Sequence, residues 1–178
     1  DSGVRRSLAN SAYNERPAAC EEAVRLLKPH LPGITALRDV SPEAFNSLRG
    51  VLPPVIAKRA QHVVEECARV THALPLLEAG DASGFGRLML EGHASLRDLY
   101  EVSIPELDAL VEIASGLHGC WGARLSGAGF GGCTVNLVEE SRADQFITQL
   151  TAGYERVTGR MAQVYLCRAS RGAHAEEV

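Results

Sequence analysis

Four of the six residues in Gly127-Ala128-Gly129-Phe130-Gly131-Gly132 are glycine, and this run separates two stretches whose apolar residues alternate. Such a run takes backbone conformations that side chains disfavour and brings its N–H groups close to a neighbour. Before it, Trp121 to Ser126 reads as a strand; after it, Cys133, Val135 and Leu137 alternate with Thr134 and Asn136 in a second. The spacing predicts a glycine-loop hairpin over about 121–138. Its turn either cradles an anion or lets another loop pack closely against it; a glycine-rich turn with no ligand is the plain alternative. The run is neither a P-loop, lacking G-x-x-x-x-G-K-[ST], nor a dinucleotide fingerprint, because no βαβ unit surrounds it.

Upstream the apolar period is helical. Val4 to Leu8 is a weak strand candidate. Asn14 reads as an N-cap with Pro17 in the first turn, and Cys20, Val24, Leu27 and Leu31 form one face that ends near Pro29 and Pro32. Ser41-Pro42-Glu43 starts a short helix closed by Gly50. Pro53-Pro54 opens a longer one with Ile56, Ala60, Val63, Cys67, Val70, Leu74 and Leu77 facing the core, kinked at Pro75. Gly80 and Asp81 stop it and cap the next helix, which carries Phe85, Leu88, Met89 and Leu96. Gly84, Gly86 and Gly92 weaken that helix, so something packs closely on it. Ser103-Ile104-Pro105-Glu106 reads as a capping box before Leu107, Leu110, Val111 and Ala114. A helix around Phe146, Ile147 and Leu150 and a last strand through Ala162, Val164 and Leu166 complete the pattern.

The expected class is therefore α+β: a ferredoxin-like βαββαβ antiparallel sheet with one helical face, carrying an all-helical insertion over about 15–100. With 178 residues this is one domain, large enough for a core without disulfide or metal staples. The five cysteines form no C-x-x-C pair and read as reduced, mostly buried thiols; the histidines form no metal-ligand spacing, so no metal site is expected on the chain. A net charge of -4 leaves no basic surplus for phosphate backbones, and no apolar run suits a bilayer. Neither nucleic acid nor a membrane is an expected partner, and a cytoplasmic location is expected.

The run from Gly122 to Leu137, GARLSGAGFGGCTVNL, resembles the third conserved motif of galactokinases, within the GHMP kinase superfamily. His93-Ala94-Ser95-Leu96-Arg97-Asp98 with Tyr100-Glu101-Val102-Ser103-Ile104-Pro105-Glu106-Leu107-Asp108 resembles a second galactokinase stretch. Ser7-Leu8-Ala9, Tyr13-Asn14-x-Arg16 and Cys20-Glu21-Glu22 resemble a third. All stand in the family's order and span nearly the whole chain. Departures are modest: Gly92 stands where the family often has Ser, Leu99 where it often has Asp, and Ser126 where Thr is common.

The resemblance implies that residues 1–178 form a GHMP kinase C-terminal domain, contributing to ATP-dependent phosphorylation of D-galactose at C1, with Mg²⁺. It implies that Tyr13 contacts the sugar and that Gly127, Ala128, Gly129, Phe130, Gly131 and Gly132 border the active-site cleft. The family's sugar-binding segment, its serine-rich phosphate loop and its catalytic Asp have no counterpart in these residues. No catalytic residue is therefore assigned here, and the chain alone is expected to be inactive. ATP and Mg²⁺ are expected to be bound mainly by an N-terminal half, which becomes the principal partner. Its absence is expected to expose an apolar face beside the glycine loop and to favour self-association. The alternative is a non-catalytic sugar- or nucleotide-binding regulatory module of the same fold.

Other residues have structural readings. His93, Arg97 and Asp98 are catalytic types, but an Arg97–Asp98 pair ordering the turn before Ser103 is the simpler role. Arg124 is expected in a buried ion pair or as a loop anchor. Asp98, Glu101, Glu106 and Asp108 read as caps and solvated faces.

Overall fold

The computed structural model describes the backbone of residues 1–5 and 11–170, and the side chains of 1–5 and 14–170. Helix α1 (Ser11–Leu27) begins before Asn14, so Asn14 lies inside the helix and does not cap it. Helix α2 (Pro42–Leu48) starts as expected, with Ser41 Oγ accepting the Ala44 amide at 3.2 Å. Helix α3 (Pro54–Glu78) runs on through Pro75. These three helices enclose one apolar cluster around Leu27, Leu37, Phe45, Ala60 and Val64. The expected inward seam of α3 holds only in its first half: Val70, Leu74 and Leu77 are exposed. The buried positions of α3, namely Ala57, Arg59, Ala60, His62 and Val64, all lie in that first half.

Helix α4 (Ala82–Ser95) is capped by Asp81, whose carboxylate accepts the Gly84 amide at 2.8 Å. It winds into a wide π turn over Leu96–Tyr100 and stops at Glu101, which takes the left-handed conformation at φ 54°. Helix α5 (Pro105–Gly116) buries Leu107, Leu110, Val111 and Ala114. Its start differs from the expected capping box. Ile104 is the N-cap, and the Ser103 hydroxyl instead donates to Asp108 at 2.5 Å.

Strands β1 (Cys120–Leu125) and β2 (Thr134–Val138) pair antiparallel, with an irregularity at Trp121. Helix α6 (Ala143–Thr158) returns beneath them, and Phe146, Leu150 and Tyr154 join Leu110, Val111, Ala114 and Ala123 in a second cluster. The register sets Asn136 opposite buried Ala123 and Thr134 opposite buried Leu125. Residues directly opposite share a face, so the polar set of β2 lies toward the helices, while Val135 is exposed. The phase expected from alternation is thus inverted.

The four-stranded sheet is only partly formed as a ladder. Among the described residues the sheet has two strands. The C-terminal segment around Ala162, Val164 and Leu166 is extended without being a ladder strand, and Leu166 is 67% exposed. The strand candidate Val4–Leu8 falls mostly outside the described residues. Residues 1–4 nevertheless lie between the two outer segments: Ser2 N donates to Gly132 O, and Asp1 exchanges backbone bonds with Gln163. The segment order across the sheet is 163, then 1–4, then 132–138, then 120–125. The α+β class stands, but the expected single helical face does not: at β1, Ala123 packs with α5 and α6 while Gly122 lies against Gly86 of α4.

Cys20, Cys67, Cys120 and Cys133 are half-buried and Cys167 is exposed, so these thiols are more open than expected. No helix among the described residues is long and apolar enough to cross a membrane.

Candidate functional site

The glycine loop stands on a small apolar base. Leu96, Val102, Leu107 and Leu125 form a third buried cluster, and Tyr100, Ile104 and Phe130 pack against it. The hairpin is closed at its root by Ser126 N donating to Cys133 O at 2.9 Å. Two outside segments then clamp the loop. Phe130 N donates to Val102 O at 2.7 Å, and Gly132 N donates to Val4 O at 3.0 Å. Gly129 sits at φ 76°, and a Cβ there would fall 2.1 Å from the Val102 carbonyl oxygen. Glycine is therefore required twice at this position, by backbone conformation and by close approach.

Phe130 also has a positive φ of 57° and lies under Arg16, whose guanidinium carbon is 5.9 Å from the ring centroid. Arg16 donates to the carbonyls of Tyr100 at 2.6 Å and Glu101 at 2.8 Å. Glu101 in turn accepts from Arg59 at 2.6 Å and Lys58 at 3.4 Å, and Arg59 also bonds the Leu99 carbonyl. The Arg59 hydrogen bond holds the Glu101 carboxyl below its usual range. This arginine lattice locks the π turn, and the π turn presents Val102 to the loop. Sequence reasoning gave Arg16, Arg59, Glu101 and Val102 no role at the loop; the two extended motifs quoted above already contained three of them.

The crest of the loop is open. Ser126 and Gly127 are exposed and Ala128 is half-buried. Among the described residues, the amides of Gly127 and Ala128 donate to no backbone or side-chain group. Successive free N–H groups on a loop with positive φ angles form an anion-accepting concavity. Tyr13 lies on α1, but its side chain is outside the described residues. Among the described residues, no three His, Cys, Asp or Glu stand together to hold a metal ion, so none of them is assigned to Mg²⁺.

The remaining candidates are structural. Arg97 and Asp98 pair with each other at 2.7 and 2.9 Å on the surface. Arg124 binds Glu66 at 2.7 Å, and Arg69 binds the same carboxylate at 2.8 Å. Burial pushes the Glu66 carboxyl up, but the hydrogen bonds and charges of Arg69 and Arg124 outweigh it and leave it below the ordinary range. His93 is buried; its Nδ1 accepts the Leu125 amide at 3.3 Å, which places the proton of the neutral ring on Nε2. Nε2 lies 3.2 Å from Asp108 Oδ1 without full hydrogen-bond alignment. His93 thus fastens β1, the strand that leads into the loop, to α4.

Helices thus pack on both faces of the first hairpin strand, α4 against Gly122 and α5 and α6 against Ala123, and the hairpin turn is left open at its crest. Residues 73–156 match the family described as GHMP kinases C terminal. At finer grain, its relatives are galactokinases. It is 52% identical to the Galactokinase of Roseiflexus sp. (strain RS-1) over 172 residues, which is 97% of this chain and 44% of that protein. The Galactokinase of Chloroflexus aggregans (strain MD-66 / DSM 9485) is 49% identical with the same coverage. The crystal structure of Lactococcus lactis galactokinase complexed with galactose matches with a TM-score of 0.88 at 38% identity, over 93% of this chain and 42% of that one. The chain spans less than half the length of the relatives it matches.

Proposed function

We propose that this chain is the C-terminal part of a galactokinase, contributing to ATP-dependent phosphorylation of D-galactose at C1. The observation that carries this is the 52% identity to a galactokinase across 97% of the chain. Residues 1–178 are read as one GHMP kinase C-terminal domain with a helical insertion over about 15–100. ATP, when bound, supplies the phosphoryl group, and positioning and electrostatics provide most of the catalysis in such transfers. In this reading Gly127 and Ala128 offer their amides to the nucleotide, and the clamps at Phe130 and Gly132, which hold the loop in place, support that role. Tyr13 contributes its hydroxyl to the sugar. A cytoplasmic location is part of the same reading.

Joining this chain to the N-terminal portion of the Roseiflexus relative tests the assignment. Galactose-dependent ADP release is expected from the joined protein and not from the 178-residue chain alone. Turnover by the chain alone would remove the proposed division of labour. A folded joined protein that binds galactose without turnover would favour a regulatory module. In the joined enzyme, Tyr13→Phe is expected to raise KM for galactose roughly threefold to tenfold, the worth of one hydrogen bond. An unchanged KM takes Tyr13 out of the sugar site.

A further inference from the structure

One apolar seam runs the length of α3 and has two fates. Ile56, Ala60, Val63, Cys67, Val70, Leu74 and Leu77 recur at alternating steps of four and three, the repeat that lines one side of a helix for another helix. Its first part is covered within the chain: Ala60 is fully buried, and Ile56 and Val63 pack against the cluster of Leu27, Leu37 and Phe45. The cover then thins. Val63 lines a largely apolar cavity of about 450 Å³ together with Cys20 and Val24 of α1 and with Leu37. Glu21 and Arg38 also line it, with opposite charges that leave the hole neutral. Cys67 is half-buried, and Val70, Leu74 and Leu77 are 62%, 57% and 57% exposed. From Val63 to Leu77 the track runs about 21 Å. Single exposed apolar residues are ordinary, but a stripe that leads into an apolar cavity marks an interaction surface.

The charge pattern selects the occupant. From Val70 to Leu77, α3 holds no Asp, Glu, Lys or Arg. Such a face attracts no charged partner and does not repel a copy of itself. Two helices with this repeat can pair antiparallel, the seam of one meeting the seam of the other from the opposite end. With a two-fold axis at the level of His72, Val70 meets Leu74 of the second copy, and Cys67 meets Leu77 of the second copy. That Leu77 sits at the entrance of the cavity beside Val63. Thr71 and Ala73 flank the axis and each meets its own counterpart, so no like charges are brought together. The carboxylate nearest this flank, Glu66, is already held by Arg69 and Arg124.

We propose that the outer seam of α3 is a docking surface for a second copy of this chain, which lays its own α3 antiparallel across it. Leu77 of each copy closes the cavity beside Val63 of the other, an isologous contact that stops at two chains. A contact one helix wide and about 21 Å long falls short of the roughly 800 Å² per partner of a standard interface. The dimer is therefore weak and reversible, and it forms at micromolar concentration or above. This inference rests on α3 and is independent of the proposed activity.

Sedimentation equilibrium of the full chain, from micromolar to millimolar concentration, is expected to show a reversible monomer–dimer equilibrium. Val70→Glu with Leu74→Glu is expected to weaken the dimer tenfold or more, while the thermal midpoint stays near the parent's because both sites are exposed. Position 71 tests the antiparallel register. Thr71→Lys alone and Thr71→Glu alone each set like charges against one another across the axis and are expected to weaken the dimer about tenfold. An equal mixture of the two variants is expected to recover the parent's affinity as a mixed dimer. A chain that stays monomeric at millimolar concentration overturns the proposal. So does a dimer indifferent to Val70→Glu with Leu74→Glu, which would assign self-association to another surface. A mixture no tighter than either position-71 variant alone overturns it as well.

Discussion

Gly129 shows how little freedom the loop has. Its φ of 76° is one that side chains rarely adopt, and the Val102 oxygen occupies the place of a Cβ at 2.1 Å. Gly129→Ala must therefore strain the backbone or break the Phe130–Val102 bond. It is expected to lower stability by about 2 kcal/mol or more, read as a fall in urea midpoint at constant m; a midpoint within error of the parent would refute the clamp. His62 makes a second prediction. It is buried on α3, with Nδ1 2.9 Å from the Ser95 hydroxyl and its ring 4.5 Å from that of Tyr100. Burial drives its pKa down to about 4. A depressed histidine folds neutral, so the unfolded chain takes up the proton first as pH falls below the ordinary value of about 6.5. Stability present at neutral pH is then lost between that value and about pH 4. At pH 4.5 the loss amounts to roughly 2–3 kcal/mol. His62→Asn is expected to flatten this part of the pH profile, although Glu66 keeps contributing its own acid sensitivity. Equal slopes in parent and variant would show that the ring is not held neutral.

At the scale of elements, the decisive contact is α4 on β1. A Cβ at Gly86 would meet the Trp121 carbonyl oxygen at 1.9 Å, and one at Gly122 would meet the Gly86 oxygen at 2.3 Å. Helix and strand touch backbone to backbone, so either glycine to alanine is expected to cost about 3 kcal/mol. The double variant is expected to lose less than the sum, because the first substitution already separates the pair; strict additivity would mean that the two glycines do not share one contact. Sequence reasoning anticipated a close neighbour for the glycines of α4, since glycine within a helix is unfavourable without one. It placed most helices within a few residues because caps such as Ser41 and Asp81 are local chemistry. It failed where partners are distant in sequence. Ser103 bonds Asp108 in place of closing a box with Glu106, and the polar face of β2 turns inward because register, not alternation alone, fixes a strand's phase.

Over the whole molecule, exposed apolar residues occur on the loop hairpin, at Trp121 and Val135, and also away from it. Among the described residues they include Val70, Leu74 and Leu77 on α3 and Met161, Tyr165 and Leu166 near the C-terminal segment. Self-association, if driven by the larger stripe, should respond to α3. Val70→Glu with Leu74→Glu is expected to shift a concentration-dependent oligomer toward monomer while changing stability by less than about 0.5 kcal/mol per site. A monomer at all concentrations, or an oligomer indifferent to both changes, rejects this surface. The loop itself was visible in the sequence as a glycine cluster between strands, and three motifs in order carried the family resemblance. The arginine lattice behind the loop was not visible, because Arg16, Arg59 and Glu101 are each at least 42 residues apart and meet only through the π turn.

That lattice has a consequence for timing. The loop is pinned by Val4 on one flank and by Val102 on the other, and Val102 is set by a turn that three cationic side chains hold. Under the proposed function, a phosphate arriving at the crest would meet donors whose orientation was settled when the chain folded. In that reading the loop is an anvil, and opening and closing fall to whatever faces it.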